Sequence, residues 1–169
     1  MEFLDLAKQR YSERSFSSTP IEEDKLYKIL EAGRIAPTAC NNQPQRFYVL
    51  KSKAALTKAA ALTNIYNAPV VILVCYLNAE AWHSPYDGFV SGDMDASIAA
   101  SSMMFEAEDL GVHSIWLRGF DSQKVHDAFD LPVGTVPSLM LALGYPSKGS
   151  KPHKLHGERE PMEEFVVEL

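Results

Sequence analysis

An α+β domain built around one sheet is what this sequence predicts. Two apolar runs, "PVVILVCYL" (69–77) and "VPSLMLALGYP" (136–146), are bounded by turn residues and read as buried strands. Two long stretches, "IEEDKLYKILEAGRIAP" and "DMDASIAASSMMFEAEDL" (93–110), have helical patterns. Helices and strands mix without strict alternation, which disfavours a doubly wound parallel sheet. A central mixed sheet of about four to five strands, flanked by helices, follows.

Each element has its own reason. "EFLDLAKQR" reads as a short helix. The next helix puts Leu26, Ile29, Leu30 and Gly33 on one face, has an acidic first turn and stops at Pro37. "RFYVLK" (46–51) is a strand, and "KAALTKAAAL" a helix. Run 69–77 is apolar throughout, hence central. "NAEAWHSPYDGFVSG" (78–92) carries Pro85 and two glycines and reads as an irregular loop. Helix 93–110 is apolar all round and rich in small residues, which suits a subunit interface, with Gly111 as its C′ residue. "VHSIWLRGF" is a strand ending at Gly119, and "DSQKVHDAF" a short helix with Asp121 as N-cap. The polar, basic tail closes on "PMEEFVVEL", with strand character at Phe165–Val167.

The 169 residues fit one domain, 1–169, with enough chain for a core. A 46% hydrophobic and 22% charged composition is that of a soluble globular protein. Cys40 and Cys75 are too few for a disulfide framework, so a cytoplasmic location is expected. "MEFLDLAKQR" is no signal peptide, and no run approaches the ~20 residues that span a bilayer. The net charge of −6 argues against a nucleic-acid partner. GxGxxG and GxSxG are absent. "HKLH" has no partners at zinc spacing, so no metal site is expected. Asp93 and Asp95 read as acids of a helix first turn, not as a catalytic pair.

Four segments carry possible chemistry. In "RYSERSF" an extended backbone would put Arg10, Ser12 and Arg14 on one side, as an anion cradle. Taken alone, such a pattern is more often a solvated arginine face. "APTACNNQPQRF" offers Thr38, Asn41, Asn42 and Gln43 between two prolines, which suits a flat heterocycle or an ordinary polar turn. "SIWLRGF" ends at Gly119, where a ring could approach the backbone or a plain turn could form. Lys148, Lys151, Lys154 and Arg159 could complete an anion site or be solvated.

Together, in this order, these segments resemble the nitroreductase family of flavin mononucleotide (FMN) enzymes. "RYSERSF" is similar to its Arg-x-Ser-x-Arg phosphate motif, and "APTACNNQPQRF" to its Ala-Pro-Ser-x-x-Asn-x-Gln-Pro segment. "LRGF", "LALGYP" and "EREPMEEFVVE" fall where the family has its flavin-flanking strand end and its C-terminal part. The resemblance implies an α+β sandwich, an intertwined homodimer, FMN as cofactor and NAD(P)H as co-substrate. Arg10, Tyr11, Ser12, Arg14, Lys154 and Arg159 would surround the phosphate and ribityl chain. Pro37, Thr38, Ala39, Asn41 and Gln43 would reach the flavin from the other subunit. Asn64 would face the pyrimidine edge, and Leu117, Arg118 and Gly119 would flank the flavin, with an N–H towards N5. Trp82, Tyr86 and Phe89 would line the pocket for a flat electron acceptor, a nitroaromatic or quinone, reduced by a ping-pong mechanism. The flavin would do the chemistry, so no catalytic side chain is assigned. Other flavin reactions on the same fold, dehalogenation or azoline oxidation, and non-catalytic flavin binding remain alternatives. Thr38, Cys40 and Gln45 depart from the family pattern, which bears on the substrate pocket.

Overall fold

The computed structural model describes residues 2–169. In chain order its elements are α1 (Phe3–Gln9), α2 (Glu23–Arg34), β1 (Gln45–Leu50), α3 (Lys53–Leu62), β2 (Val70–Leu77), α4 (Gly92–Asp109), β3 (His113–Leu117), α5 (Ser122–Ala128) and β4 (Thr135–Gly144). Short 3₁₀ turns cover Ala39–Asn41, Lys154–Gly157 and Met162–Glu164.

The strands form one sheet in the order β1-β2-β4-β3. β2 lies inside it, and alternation along β2 explains its unbroken apolar run. Val71, Leu73 and Cys75 face a core layer with Ala59 of α3 and Val125 of α5. Val70, Ile72 and Val74 face a second layer with Ile29 of α2 and Ala96, Ala100 and Met103 of α4. The result is a helix–sheet–helix sandwich, as expected of an α+β chain.

One expectation is corrected. The sheet is not mixed: every neighbouring pair of strands is antiparallel. Among the described residues, parallel pairing is confined to an isolated bridge between Ser12, outside the strands, and Ser114 of β3. A shift of register between Val74 and Cys75 leaves Ser138 as the extra residue of β4, next to Pro137. β3 pairs only from Met140 onward, so the missing N–H of Pro137 costs no bond to that neighbour.

Two further expectations change. Phe165–Val167 forms no strand; those residues follow a 3₁₀ turn and are exposed. Segment 78–91 is not irregular throughout: it folds back as a small hairpin, with His83 opposite Val90 and a Ser84 N–H bond to the Phe89 carbonyl at 2.8 Å. The remaining elements lie within a few residues of their expected bounds. Gly111 has φ +72° behind α4, and the Asp121 carboxylate accepts from the Gln123 and Lys124 N–H groups. Among the described residues no helix is long and apolar enough to cross a membrane.

Candidate functional site

Arg10 to Arg14 leaves the end of α1 in extended form and runs beside β3, tied by the Glu13 N–H to the Ser114 carbonyl at 3.0 Å. Further on, Ser17 N–H bonds the Tyr145 carbonyl at 2.8 Å, and Ser147 N–H bonds the Ser15 carbonyl at 2.7 Å. The N-terminal segment is thereby laid against the turn that follows β4, which brings the basic tail to it. Arg10, Tyr11, Ser12 and Arg14 line a cavity of about 340 Å³ with His153, Leu155, His156 and Arg159. A neighbouring cavity of about 400 Å³ shares Ser12, Arg14 and His153 and adds Lys148 and Lys151. Lys154 is exposed and lines neither.

Inside this cradle lies a group that the sequence did not reveal. Glu13 is fully buried and collects four donors: the Tyr11 hydroxyl at 2.9 Å, the Ser150 hydroxyl at 2.6 Å, and the Arg14 and Ser15 N–H groups at 2.7 Å each. Burial pushes its carboxyl up, but the Ser150, Tyr11 and backbone hydrogen bonds outweigh it and hold the pKa below the ordinary value. Burial, and then Glu13, push the Tyr11 phenol up to about 12. Tyr11 packs on His113 at 5.0 Å and on His156 at 6.0 Å between ring centres, spanning β3 and the tail.

The arginines differ. Arg159 is tied to its own segment through the His156 and Glu158 carbonyls at 2.8 and 2.6 Å. Arg14 reaches the Ser12 carbonyl at 3.2 Å. Arg10 is half-buried and donates no side-chain hydrogen bond to any described residue. Burial lowers its pKa, Glu108 opposes this, and the charge of Arg159 adds to it. A half-buried guanidinium facing a second arginine and a serine hydroxyl is the donor set that a phosphate monoester satisfies.

Two other predicted groups lie near the same edge. The exposed Asn64 caps the Tyr66 N–H at 2.9 Å, and Tyr66 in turn accepts from the Phe16 N–H at 3.3 Å. Leu117 is buried at the end of β3. Arg118 turns onto the Phe120 ring at 5.0 Å and bonds the Phe120 carbonyl and the Ser122 hydroxyl. A Cβ on Gly119 would meet nothing within 4 Å, so its backbone is open to approach.

The third group is elsewhere. Pro37 to Gln43 precedes β1, whose first residue pairs with Tyr76. Ser12 instead sits by Ser114, opposite Leu143. From Leu143 back to Pro137, which pairs with Cys75, β4 rises roughly 20 Å. One protomer therefore does not bring Thr38, Ala39, Asn41 and Gln43 to the cradle. Their turn holds Cys40, Asn41 and Gln43 at φ 51°, 55° and 52°, a left-handed conformation costing about 1–3 kcal/mol per non-glycine residue. The hairpin lies at this same end, linked to β1 by Arg46–Glu80 at 2.7 Å. Trp82 and Phe89 pack together at 6.5 Å, and Tyr86 at the tip is 92% exposed.

The model of the nitroreductase family matches residues 7–65 and 57–145 in overlapping stretches. The chain belongs to the nitroreductase family. Among solved structures, this nitroreductase-family chain is similar to a family protein from Clostridium difficile 630, with a TM-score of 0.93, 39% identity and coverage of 99% of this chain and 98% of that one. It is also similar to a protein from Desulfovibrio desulfuricans crystallised in complex with FMN, with a TM-score of 0.84, 25% identity and coverage of 100% and 97%. A relative from Archaeoglobus fulgidus named as an NADH dehydrogenase/NAD(P)H nitroreductase is 29% identical over 153 residues, 86% of each chain.

Proposed function

We propose that this chain, acting as one domain over residues 1–169 in a reducing cytoplasm, is an FMN-dependent oxidoreductase that carries electrons from NAD(P)H to flat acceptors such as quinones or nitroaromatics. The observation that carries this reading is the cradle where Arg10, Ser12 and Arg14 meet Arg159. FMN bound there would supply the hydride and electron transfer, which no side chain of the chain provides. Arg10 and Arg159 would neutralise the phosphate, and the Ser12 hydroxyl would donate to it. Glu13 keeps the segment extended, so that Ser12 and Arg14 stay at the cavity wall. Gly119 leaves room for a ring beside β3.

Thr38, Ala39, Asn41 and Gln43 would complete the site from a second protomer. Supporting this are their distance from the cradle along β4 and the unpartnered apolar surface of the chain. Phe3, Met94, Ile98 and Phe105 border an open groove of about 500 Å³ on the outer side of α4. Trp82 and Phe89, at the same end of the sheet as the Thr38 turn, would form the wall on which a flat acceptor stacks. With one such surface, donor and acceptor take turns, which makes the kinetics ping-pong.

The test is direct. The purified protein should be yellow and release FMN on denaturation. Arg10→Ala and Arg159→Ala should each weaken FMN binding roughly tenfold to a hundredfold, read by flavin fluorescence titration. Variants that hold FMN as tightly as the unaltered protein would defeat the assignment. Intersecting double-reciprocal plots with NADH and a quinone would defeat the ping-pong order.

A further inference from the structure

Asp95 is a buried carboxylate that none of the roles above uses. It lies in the first turn of α4, 1% exposed, and accepts two hydrogen bonds from different parts of the chain. The Ala39 N–H donates at 2.9 Å, and the Ser91 hydroxyl donates at 2.7 Å. Ser91 passes the contact on, because its oxygen accepts the Trp82 N–H at 3.0 Å. An unbroken relay therefore runs from the Thr38 turn through Asp95 and Ser91 to the aromatic hairpin.

The end of α4 that carries Asp95 is itself fixed. Gly92 is pressed against the Tyr76 ring so closely that a Cβ would fall inside it. Asp93 accepts the Ser138 hydroxyl at 2.6 Å. The turn has few other anchors. Asn41 and Asn42 bond back to Thr38 and Ala39, and Gln43 bonds the Thr38 hydroxyl. Outside the turn, Arg46 bonds the Gln43 carbonyl. A turn with three left-handed non-glycine residues needs an external hold, and Asp95 is placed to provide it.

We propose that Asp95 is a positioning residue, which holds the turn carrying Thr38, Asn41 and Gln43 and the hairpin carrying Trp82 and Phe89 as one unit on the end of α4. Its effect on acceptor turnover rests on the reading above, in which both segments border the flavin. Its effect on the segments themselves does not. The experiment combines hydrogen exchange by mass spectrometry with kinetics on the FMN-loaded protein. Asp95→Ala should speed exchange roughly tenfold in peptides covering both 37–43 and 82–91, with 99–107 unchanged. In protein kept saturated with added FMN, it should raise KM for a quinone and a nitroaromatic roughly threefold or more. Asp95→Asn should restore both, because its oxygen still accepts from Ala39 and its N–H can donate to Ser91. If Asp95→Ala does not fold, Ser91→Ala carries the test and should speed exchange in 82–91 while Ala39 stays protected. Faster exchange in one segment alone for Asp95→Ala, no change in the hairpin for Ser91→Ala, or faster exchange with unchanged KM would overturn the proposal. If the unaltered protein reduces no acceptor, the proposed function falls and the exchange measurements still decide whether Asp95 joins the two segments.

Discussion

Glu13 sits between Ser12 and Arg14, yet it is buried while they line the cavity. Period-two alternation explains this: an extended segment that shows one side to a ligand turns the other inward. Its pKa is lowered, so the sign is fixed. The native state binds its proton less readily than the unfolded chain does, and Glu13 stabilises the fold in full above about pH 4.5. That contribution is lost as the pH falls through the folded value. Glu13→Gln is therefore expected to cost about 1.5–3 kcal/mol at neutral pH, the worth of hydrogen bonds to a charged group. The cost should shrink as the pH is taken from 7 to 3, read from urea midpoints across that range. An equal cost at both ends would refute the charge-based account. Glu13 was not legible in the sequence because an acid flanked by serine and arginine has the composition of an exposed segment. Asp95 escaped for a related reason: acids in a helix first turn usually face water, and only tertiary structure brings Ala39 to this one.

At the scale of elements, α4 is held by its first residue. A side chain at position 92 has no room beside Tyr76, so Gly92→Ala must displace the ring or the helix end. We expect it to cost about 1–3 kcal/mol, the usual range for overpacking, as a lowered Tm by calorimetry. An unchanged Tm would mean that Tyr76 swings aside freely. Most helices and strands were readable because burial imposes period: Leu26 and Ile29 recur as a helix face, and β2 is apolar on both sides because both sides are covered. Strand direction was not readable. It depends on the path of each connection over the sheet, and composition does not encode that path. The "FVV" of the tail has strand composition, but a strand exists only where a partner edge is present, and this protomer offers none there.

At the scale of the molecule, the apolar surface points to a second copy. Met162, Phe165, Val166 and Val167 are exposed in the tail, among Glu163, Glu164 and Glu168. Strand β1 pairs only with β2, and beside it lies a groove of about 530 Å³ that includes Tyr27, Leu30, Phe47 and Val49, with Arg34 and Arg46 on its walls. The apolar side chains of the tail match the apolar lining of that groove, whose Arg34 and Arg46 are already paired with Glu31 and Glu80. The protein is therefore expected to sediment as a dimer at micromolar concentration. Phe165→Ser together with Val167→Ser should shift it towards monomer and weaken FMN binding in parallel. A monomer that keeps its FMN would count against a shared site.

The cradle also has a timetable. Glu13 and Ser150, bonded to each other, lie 137 positions apart in the chain. At roughly 5–20 residues per second, about 7–30 seconds of synthesis separate the arginines of the first segment from the tail that closes over them. During that interval Arg10 and Arg14 are present without Arg159, and on the proposed reading the phosphate site would be incomplete. On that reading FMN would load only after the tail is made, and a chain ending after Gly149 is expected to bind no FMN, read by flavin fluorescence.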